Sequence, residues 1–188
     1  MITIDTSAGI VRKKEITELP LYDENFIMLK EVMPEYRGDL PNSSINDVAE
    51  RMKLTMGKFS GLGLSANQCG IKLRAFLIGT DQFQIFCINP KVTDQSAEQS
   101  KDNEGCLSFP GLFCKIERPK WVDVEFTTQN GELKQMRLEG LTARCFLHEL
   151  DHLNGVRFIE RIGPVALQMA RKKQNKIVKK AMRLNNGV

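Results

Sequence analysis

The five residues from His148 to His152 constrain this chain more than any other stretch, and they contain both of its histidines. On an α-helix, residues four positions apart lie on one face, so the two imidazoles can bind one metal ion. Glu149 lies about 100° round the helix from His148, where it can hydrogen-bond a water at the metal without binding the metal itself. The pattern therefore predicts two metal ligands, His148 and His152, and a carboxylate general base, Glu149.

The third ligand of such a site must come from upstream in the chain. A catalytic tetrahedral site uses three protein ligands and one open position. Phe158 stands where the long metalloprotease motif has a third histidine. The other usual third ligand is a glutamate on a following helix, but Glu160, the only acidic residue after Asp151, is too close to the motif to lie on one. Cys106 is the best candidate, because a thiolate beside two imidazoles suits Zn²⁺ or Fe²⁺. The alternative for Cys106 is a small buried thiol with a packing role.

Composition predicts a globular protein in a reducing compartment. The hydrophobic fraction is 41% and the charged fraction 27%, which are ordinary values for a folded domain, so we expect one domain over residues 1–188. Five cysteines form no disulfide-scaffold spacing, which favours free thiols. There is no long apolar run and no signal-peptide pattern at the N-terminus, so we expect a cytoplasmic protein without a membrane segment.

Positive charge is concentrated in the last part of the chain. From Val165 onward there are seven Lys or Arg residues and no acid, so the net charge of +4 leaves about −3 for the rest. A basic C-terminal helix over residues 164–188 is therefore expected. Its charge indicates either a solvated helix face or a segment that docks on a polyanion such as RNA.

Hydrophobic periodicity predicts an α+β fold. Two β-hairpins stand among helices, which favours antiparallel sheets over a parallel doubly wound sheet. The expected helices are 24–33, one that begins at an N-cap at Ser44, 141–153 and 164–184, and the expected strands are 75–78, 83–88, 121–126 and 132–138.

Three motifs occur in order along the chain. The first is Gly-Leu-Gly-Leu-Ser-Ala-Asn-Gln at Gly61–Gln68, the second is Glu-Gly-Cys-Leu-Ser at Glu104–Ser108, and the third is Leu-His-Glu-Leu-Asp-His-Leu-Asn-Gly at Leu147–Gly155. Each motif is a modest signal alone, but the three in this order make the chain similar to the peptide deformylase family over about residues 44–160.

The chain departs from the family pattern at three positions. Ser65 replaces an alanine, and Asn67 replaces a residue that is often proline. Leu147 stands where the family often has glutamine, directly before the first histidine. Loss of a hydrogen bond at this position is expected to alter rate or metal affinity without abolishing activity.

The resemblance implies a central metal-binding helix surrounded by antiparallel β-sheets, with a C-terminal helix. It implies removal of the N-formyl group from the N-terminal methionine of new polypeptides, with release of formate. The metal would be Fe²⁺, bound by Cys106, His148 and His152, with Zn²⁺, Ni²⁺ or Co²⁺ as substitutes. Glu149 would be the general base, and the N–H of Leu107 and the amide of Gln68 would stabilise the oxyanion.

The resemblance also implies how substrate binds. Leu62, Leu107, Leu141 and Cys145 would wall an apolar slot for the methionine side chain, although each could instead be a core residue. The peptide backbone would pair as an added strand near Gly63 and Gly111. For Gln68, the alternative is an amide that only bonds its own loop. The basic C-terminal helix would dock on the ribosome.

Two other functions stay open at the level of sequence. A metallopeptidase is disfavoured because the usual downstream third ligand is missing. A structural zinc protein that binds RNA would need four ligands, so Cys69 or Cys114 would have to join Cys106.

Overall fold

The computed structural model describes residues 2–5, 10–13, 16–80 and 83–185, with side chains described over 16–80 and 83–179. Within these ranges the chain forms three α-helices and nine β-strands. The strands are β1 (Ile2–Asp5), β2 (Ile10–Lys13), β3 (Gly63–Ser65), β4 (Ala75–Thr80), β5 (Phe83–Gln95), β6 (Gln99–Cys106), β7 (Phe109–Pro119), β8 (Trp121–Thr127) and β9 (Leu133–Glu139). The α-helices are α1 (Ser43–Lys58), α2 (Gly140–Leu153) and α3 (Pro164–Asn185), and short 3-10 turns occur at Ile27–Lys30, Ala66–Cys69 and Phe158–Arg161.

Antiparallel pairing organises all the described strands. One sheet has five strands in the order β3-β4-β5-β8-β9, and β6 pairs with β7 in a separate two-stranded sheet, as does β1 with β2. Helix α2 contacts both the five-stranded sheet and β7. The predicted α+β class, with a central helix among antiparallel sheets, is confirmed.

Helix α2 is held centrally by apolar side chains on its buried face. Ala143, Phe146 and Leu153 are fully buried, and the ring of Phe146 meets Phe76 of β4 edge-on, with 5.0 Å between centroids. Burying a side chain of this size stabilises the fold by about 1.5–3 kcal/mol. A short antiparallel bridge from Val32 to Asn154 fixes the end of the helix. The helix that carries the two histidines is therefore held in place by core packing and by this bridge.

The sequence predictions for the first two helices were wrong in detail. Helix α1 begins at Ser43, because the side chain of Asn42 caps it by accepting hydrogen bonds from the N–H of Ser44 at 2.9 Å and of Ile45 at 3.4 Å. In the expected helix 24–33 only one 3-10 turn forms. Its last residues extend instead, and the N–H of Met33 donates to the carbonyl of Leu153 at the end of α2.

The β6–β7 hairpin was not predicted. Five of the eight residues of β6 are polar and exposed or only partly buried, so the strand lacks an apolar period that could be recognised. The predicted hairpin of β4 and β5 forms, although residues 81–82 of its turn lie outside the described residues. The second predicted hairpin forms as β8 and β9.

The last predicted helix is α3, and residues 186–188 of the expected basic segment lie outside the described residues. It packs mainly against β7. Among the described helices, none combines the length and the apolar character that a membrane crossing requires.

Candidate metal centre and active site

The three predicted metal ligands lie together. The ligand atoms of Cys106, His148 and His152 are all within 4.8 Å of one another, and Cys106 Sγ is 3.2 Å from His152 Nε2. The two histidines come from one face of α2, and Cys106 comes from the last position of β6. In the described part of the chain neither Cys69 nor Cys114 joins this group. Three ligands with an open fourth position are typical of a catalytic site, which weighs against the structural zinc hypothesis.

A carboxylate sets which nitrogen of His148 can face a metal. His148 Nδ1 lies 3.0 Å from Glu104 Oε2. Burial raises the pKa of Glu104, but the charges and hydrogen bonds of Arg118 and His148 outweigh burial and lower that pKa to about 2. Because the carboxylate is ionised, it accepts and His148 Nδ1–H donates. Nε2 of His148 is thereby left for the metal.

A buried ion cluster supports Glu104. Arg118 on β7 donates to both oxygens of Glu104, at 2.8 and 2.9 Å, and to Asp151 of α2 at 2.7 Å. Arg144 donates to Glu104 at 2.8 Å, and Arg161 pairs with Asp151. All but Arg161 are buried. The cluster therefore ties the helix that carries the histidines to the hairpin that carries the cysteine.

In the metal-free site a proton is favoured on His148, and a metal ion would take the place of that proton at Nε2. Burial lowers the pKa of His148, but Cys106 and Glu104 more than offset it by hydrogen bonds and charge, and raise that pKa to about 10. Burial lowers the pKa of His152 well below its usual value, which keeps this imidazole neutral and available as a ligand. A soft thiolate with two imidazoles fits a divalent transition metal.

The general-base candidate faces the same site. Glu149 is buried, and its Oε2 has no hydrogen-bond partner among the described residues. Burial raises the pKa of this carboxyl to about 7. Gly63 leaves the space it needs, because a Cβ there would overlap Glu149 Oε1 and lie 2.8 Å from Cys145 Sγ. Glu149 is therefore a buried carboxyl with a raised pKa and one oxygen that has no partner among the described residues.

Both the oxygen and the nitrogen of the Gln68 side-chain amide form hydrogen bonds. Its Oε1 accepts from the backbone N–H and the hydroxyl of Ser65, both at 2.9 Å. Its Nε2 donates to Ser108 at 3.1 Å and lies 3.4 Å from Cys106 Sγ. The loop bonding considered from the sequence is thus present, and it turns the N–H₂ group toward the metal ligands.

A cavity of about 500 Å³ opens beside these groups. All five predicted substrate residues line it: Leu62, Gly63, Gly111, Leu141 and Cys145. Leu62 and Leu141 are 44% and 64% exposed, so they are not core residues. Cys145 donates its thiol hydrogen to the carbonyl of Leu62 at 3.1 Å, joining α2 to the residue before β3. Leu107 also lines the cavity, while its side chain packs on the core.

Sequence reasoning missed several residues of the site. Phe59, Phe109 and Phe113 line the cavity. Glu104 accepts a hydrogen bond from His148, and only its position in the second motif could have suggested this role. The aromatic residues lie outside the motifs, and Arg118 is brought in from β7 by strand pairing. No signal in the sequence identifies them.

Two of the departures from the family pattern take part in the site. Ser65 orients Gln68, as described above. Asn67 donates to the backbone carbonyl of His152 at 2.8 Å, which anchors the last turn of α2. Leu147 is half-buried and packs against the apolar cluster around Phe146. Its expected effect on rate or metal affinity stays a prediction.

Known proteins resemble this chain in sequence and in structure. The model of the family described as polypeptide deformylase matches residues 16–168. The peptide deformylase of Thermotoga neapolitana is 41% identical over 140 residues, which cover 74% of this chain and 85% of that one. The crystal structure of a peptide deformylase from Legionella pneumophila superposes with a TM-score of 0.79 and 29% identity, covering 88% of this chain and 98% of that chain. A peptide deformylase from Acinetobacter baumannii with Met-Ala-Ser bound has a TM-score of 0.75 and 29% identity, with coverage of 79% and 100%.

Proposed function

The chain belongs to the polypeptide deformylase family, and from this premise we propose which of its residues carry out the reaction. It is a metal-dependent hydrolase that removes the N-formyl group from the N-terminal methionine of newly synthesised polypeptides and releases formate. Residues 1–188 are proposed to form one catalytic domain. A cytoplasmic location stays a prediction.

Cys106, His148 and His152 are proposed to hold the metal, with Fe²⁺ as the native ion and Zn²⁺, Ni²⁺ or Co²⁺ as substitutes. The family and the three converging side chains support a metal, while the choice of Fe²⁺ rests on the resemblance alone. When bound, the ion supplies Lewis acidity and makes water a stronger acid.

The chain's own groups then move protons and stabilise charge. Glu149 takes a proton from the attacking water and delivers it to the leaving amine of the peptide. The formyl oxygen gains negative charge during the attack. The amide of Gln68 and the backbone N–H of Leu107 donate to it, which stabilises the transition state more than the ground state. The N–H₂ group of Gln68 is already directed at the ligands, which supports this role.

The cavity is proposed to take the methionine side chain between Leu62, Leu141 and Cys145. Gly63 lies on β3, an edge of the five-stranded sheet within the described residues, so a peptide can add a strand there. Gly111, on β7, also lines the cavity. The Met-Ala-Ser peptide of the Acinetobacter structure has the form of a deformylated product, and a formylated version is a suitable substrate.

One observation carries this assignment. Glu149, a buried carboxyl with an oxygen that has no partner among the described residues, lines an apolar cavity together with Cys106 and His148, two of the three side chains that can hold one metal. A metallopeptidase that acts on internal bonds is the second candidate. No acidic or histidine ligand from beyond α2 joins the group in the described chain, which weighs against it.

The first prediction is that protein loaded anaerobically with Fe²⁺ releases formate from formyl-Met-Ala-Ser. Formate is measured directly, with metal content determined on the same sample. The control substrate is Met-Ala-Ser with an acetyl group in place of formyl, and no cleavage of its internal bonds is expected. Peptide-bond cleavage without formate release would overturn the assignment and favour the metallopeptidase.

The exposed lysines of α3 are proposed to dock on the ribosome. Lys172, Lys173, Lys176 and Lys179 are all exposed, whereas Arg171 is turned inward to Glu24. A row of free ammonium groups attracts a polyanion such as ribosomal RNA, and the attraction weakens with salt.

This docking predicts a loss of ribosome binding on charge reversal. Lys172→Glu with Lys176→Glu should weaken co-sedimentation with ribosomes by about tenfold or more at low salt. Lys101→Glu with Lys115→Glu reverses two exposed charges on the β6–β7 hairpin and should have little effect. Equal loss in both double variants, or in neither, would argue against docking through α3.

A further inference from the structure

We infer that α3 also holds the rim of the substrate cavity in place, and that Gln174 is a positioning residue for peptide binding. This inference rests on the proposed function. It concerns a contact between α3 and β7, which is separate from the exposed lysines.

Gln174 belongs to a chain of hydrogen bonds that runs from Glu24 through Arg171 to Pro110. Glu24 pairs with Arg171, whose NH1 donates to Glu24 Oε1 at 2.9 Å. The same nitrogen donates to Gln174 Oε1 at 2.9 Å, which fixes the orientation of the amide. Gln174 Nε2 then donates to the carbonyl of Pro110 at 2.8 Å. Both ends of the Gln174 side chain are therefore occupied.

The carbonyl of Pro110 belongs to a bulge that the hairpin itself does not support. Gly105 of β6 pairs with Phe113 of β7, while the next residue, Cys106, pairs with Phe109. Residues 110–112 thus have no register partner on β6. Backbone groups left unpaired by a bulge take hydrogen bonds from other parts of the chain or from water. The amide of Gln174 supplies one of them.

The bulge is part of the wall of the cavity. Phe109, Pro110, Gly111 and Leu112 all line it. Gly111 has a φ of 73°, a left-handed conformation that favours glycine. A Cβ on Gly111 would lie 3.8 Å from Gln174 Cγ, so α3 is in van der Waals range of the turn.

Arg171 reinforces the same wall. Its guanidinium carbon lies 5.9 Å from the ring centroid of Phe109, within cation–π range. The ring of Phe109 is fully buried, and it packs edge-on against Phe158 at 5.2 Å. Helix α3 thus contacts the bulge at both Phe109 and Pro110.

Gln174 forms no hydrogen bond with a proposed metal ligand or with Glu149, and the wall it supports is linked to the ligands through Phe109, which pairs with Cys106. Loosening the bulge should therefore weaken peptide binding and leave the chemical step intact. It should also affect peptides that extend beyond methionine more than formyl-methionine amide, which has no downstream residues to bind along the wall.

The test compares Gln174→Ala and Gln174→Glu with wild-type protein. Both variants lose the donor to Pro110, while the glutamate keeps an acceptor for Arg171. Each should raise KM for formyl-Met-Ala-Ser by about three- to tenfold, the effect of one lost hydrogen bond, with kcat and metal content unchanged. Gln168→Ala is the matched control, because Gln168 is exposed on the same helix. It should leave KM unchanged.

Calorimetry with Met-Ala-Ser gives a readout that does not depend on turnover. If wild-type protein released no formate, the proposed function would fail. Weaker binding of Met-Ala-Ser in the Gln174 variants, with unchanged binding in Gln168→Ala, would still support the positioning role of Gln174. Equal KM and equal peptide affinity in all variants would overturn it. A fall in kcat or metal content with KM unchanged would also overturn it, because it would indicate a structural role only.

Discussion

Replacing Glu149 with glutamine is expected to lower kcat for formate release by about 10²–10⁴-fold, the usual contribution of a general acid–base group. Glutamine has the same shape, so it fills the space beside Gly63 without a clash. It cannot accept a proton from water. Metal content should stay near one ion per chain, because Glu149 is not among the three ligands.

The pH dependence of the wild-type enzyme provides a second measure of Glu149. Burial raises its pKa to about 7, and the charge of a bound metal opposes that shift, so kcat/KM should rise with pH through a value near or below about 7. The ionised carboxylate is the active form, so activity falls as pH falls. This rise should be absent in Glu149→Gln.

Metal content must be measured at each pH, because protons compete for Cys106, His148 and His152. Equal activity of Glu149→Gln and wild-type protein would remove Glu149 from the mechanism. Low activity accompanied by metal loss would assign it a structural role.

The candidate metal ligands were predictable because their pattern is local or belongs to a motif. The spacing of His148 and His152 sets their common face on any helix, and the apolar residues of α2 set which face is buried. Cys106 could be named only as the best candidate from the residues alone. The three motifs in order strengthened that choice, and the structure brings the three side chains together.

The supporting residues were not predictable, because long-range pairing brings them in. Arg118 is 14 residues from Glu104 and 33 from Asp151 in sequence, and only the register of β6 with β7 and the packing of α2 bring the three together. A polar strand such as β6 lacks the alternation of apolar and polar residues by which a strand is recognised in a sequence. The cap at Asn42 was missed for a smaller reason, since Ser44 is an equally good capping residue.

Replacing Glu104 with glutamine is expected to cost about 3–5 kcal/mol in the free energy of unfolding and to weaken metal binding by about 10- to 100-fold. The buried cluster now balances Arg118 and Arg144 against Glu104 and Asp151. Without the charge of Glu104, two buried guanidinium groups share one fully buried carboxylate. Glutamine has one acceptor oxygen instead of two, so it cannot accept from the arginines at one end and from His148 at the other. Urea unfolding of metal-free protein and competition with a chelator would measure the two effects separately.

Glu98→Gln is the matched control, because Glu98 is exposed and pairs with Lys120 at the surface. A surface pair of this kind contributes about 0–1 kcal/mol, so this variant should unfold close to wild-type protein. Wild-type stability and metal affinity in Glu104→Gln would contradict a supporting role for the cluster.

The pH dependence of unfolding tests whether the charge of Glu104 is the source of this stability. The pKa of Glu104 is lowered from its usual 4.5 to about 2 in the folded protein, so its charge stabilises the fold above about pH 4.5. That contribution is lost as pH falls from about 4.5 toward 2, because the unfolded chain takes up the proton first. The stability difference between metal-free wild-type protein and Glu104→Gln should therefore be largest near neutral pH and shrink in acid. A difference that is independent of pH would mean that the charge of Glu104 is not what holds α2 and the hairpin together.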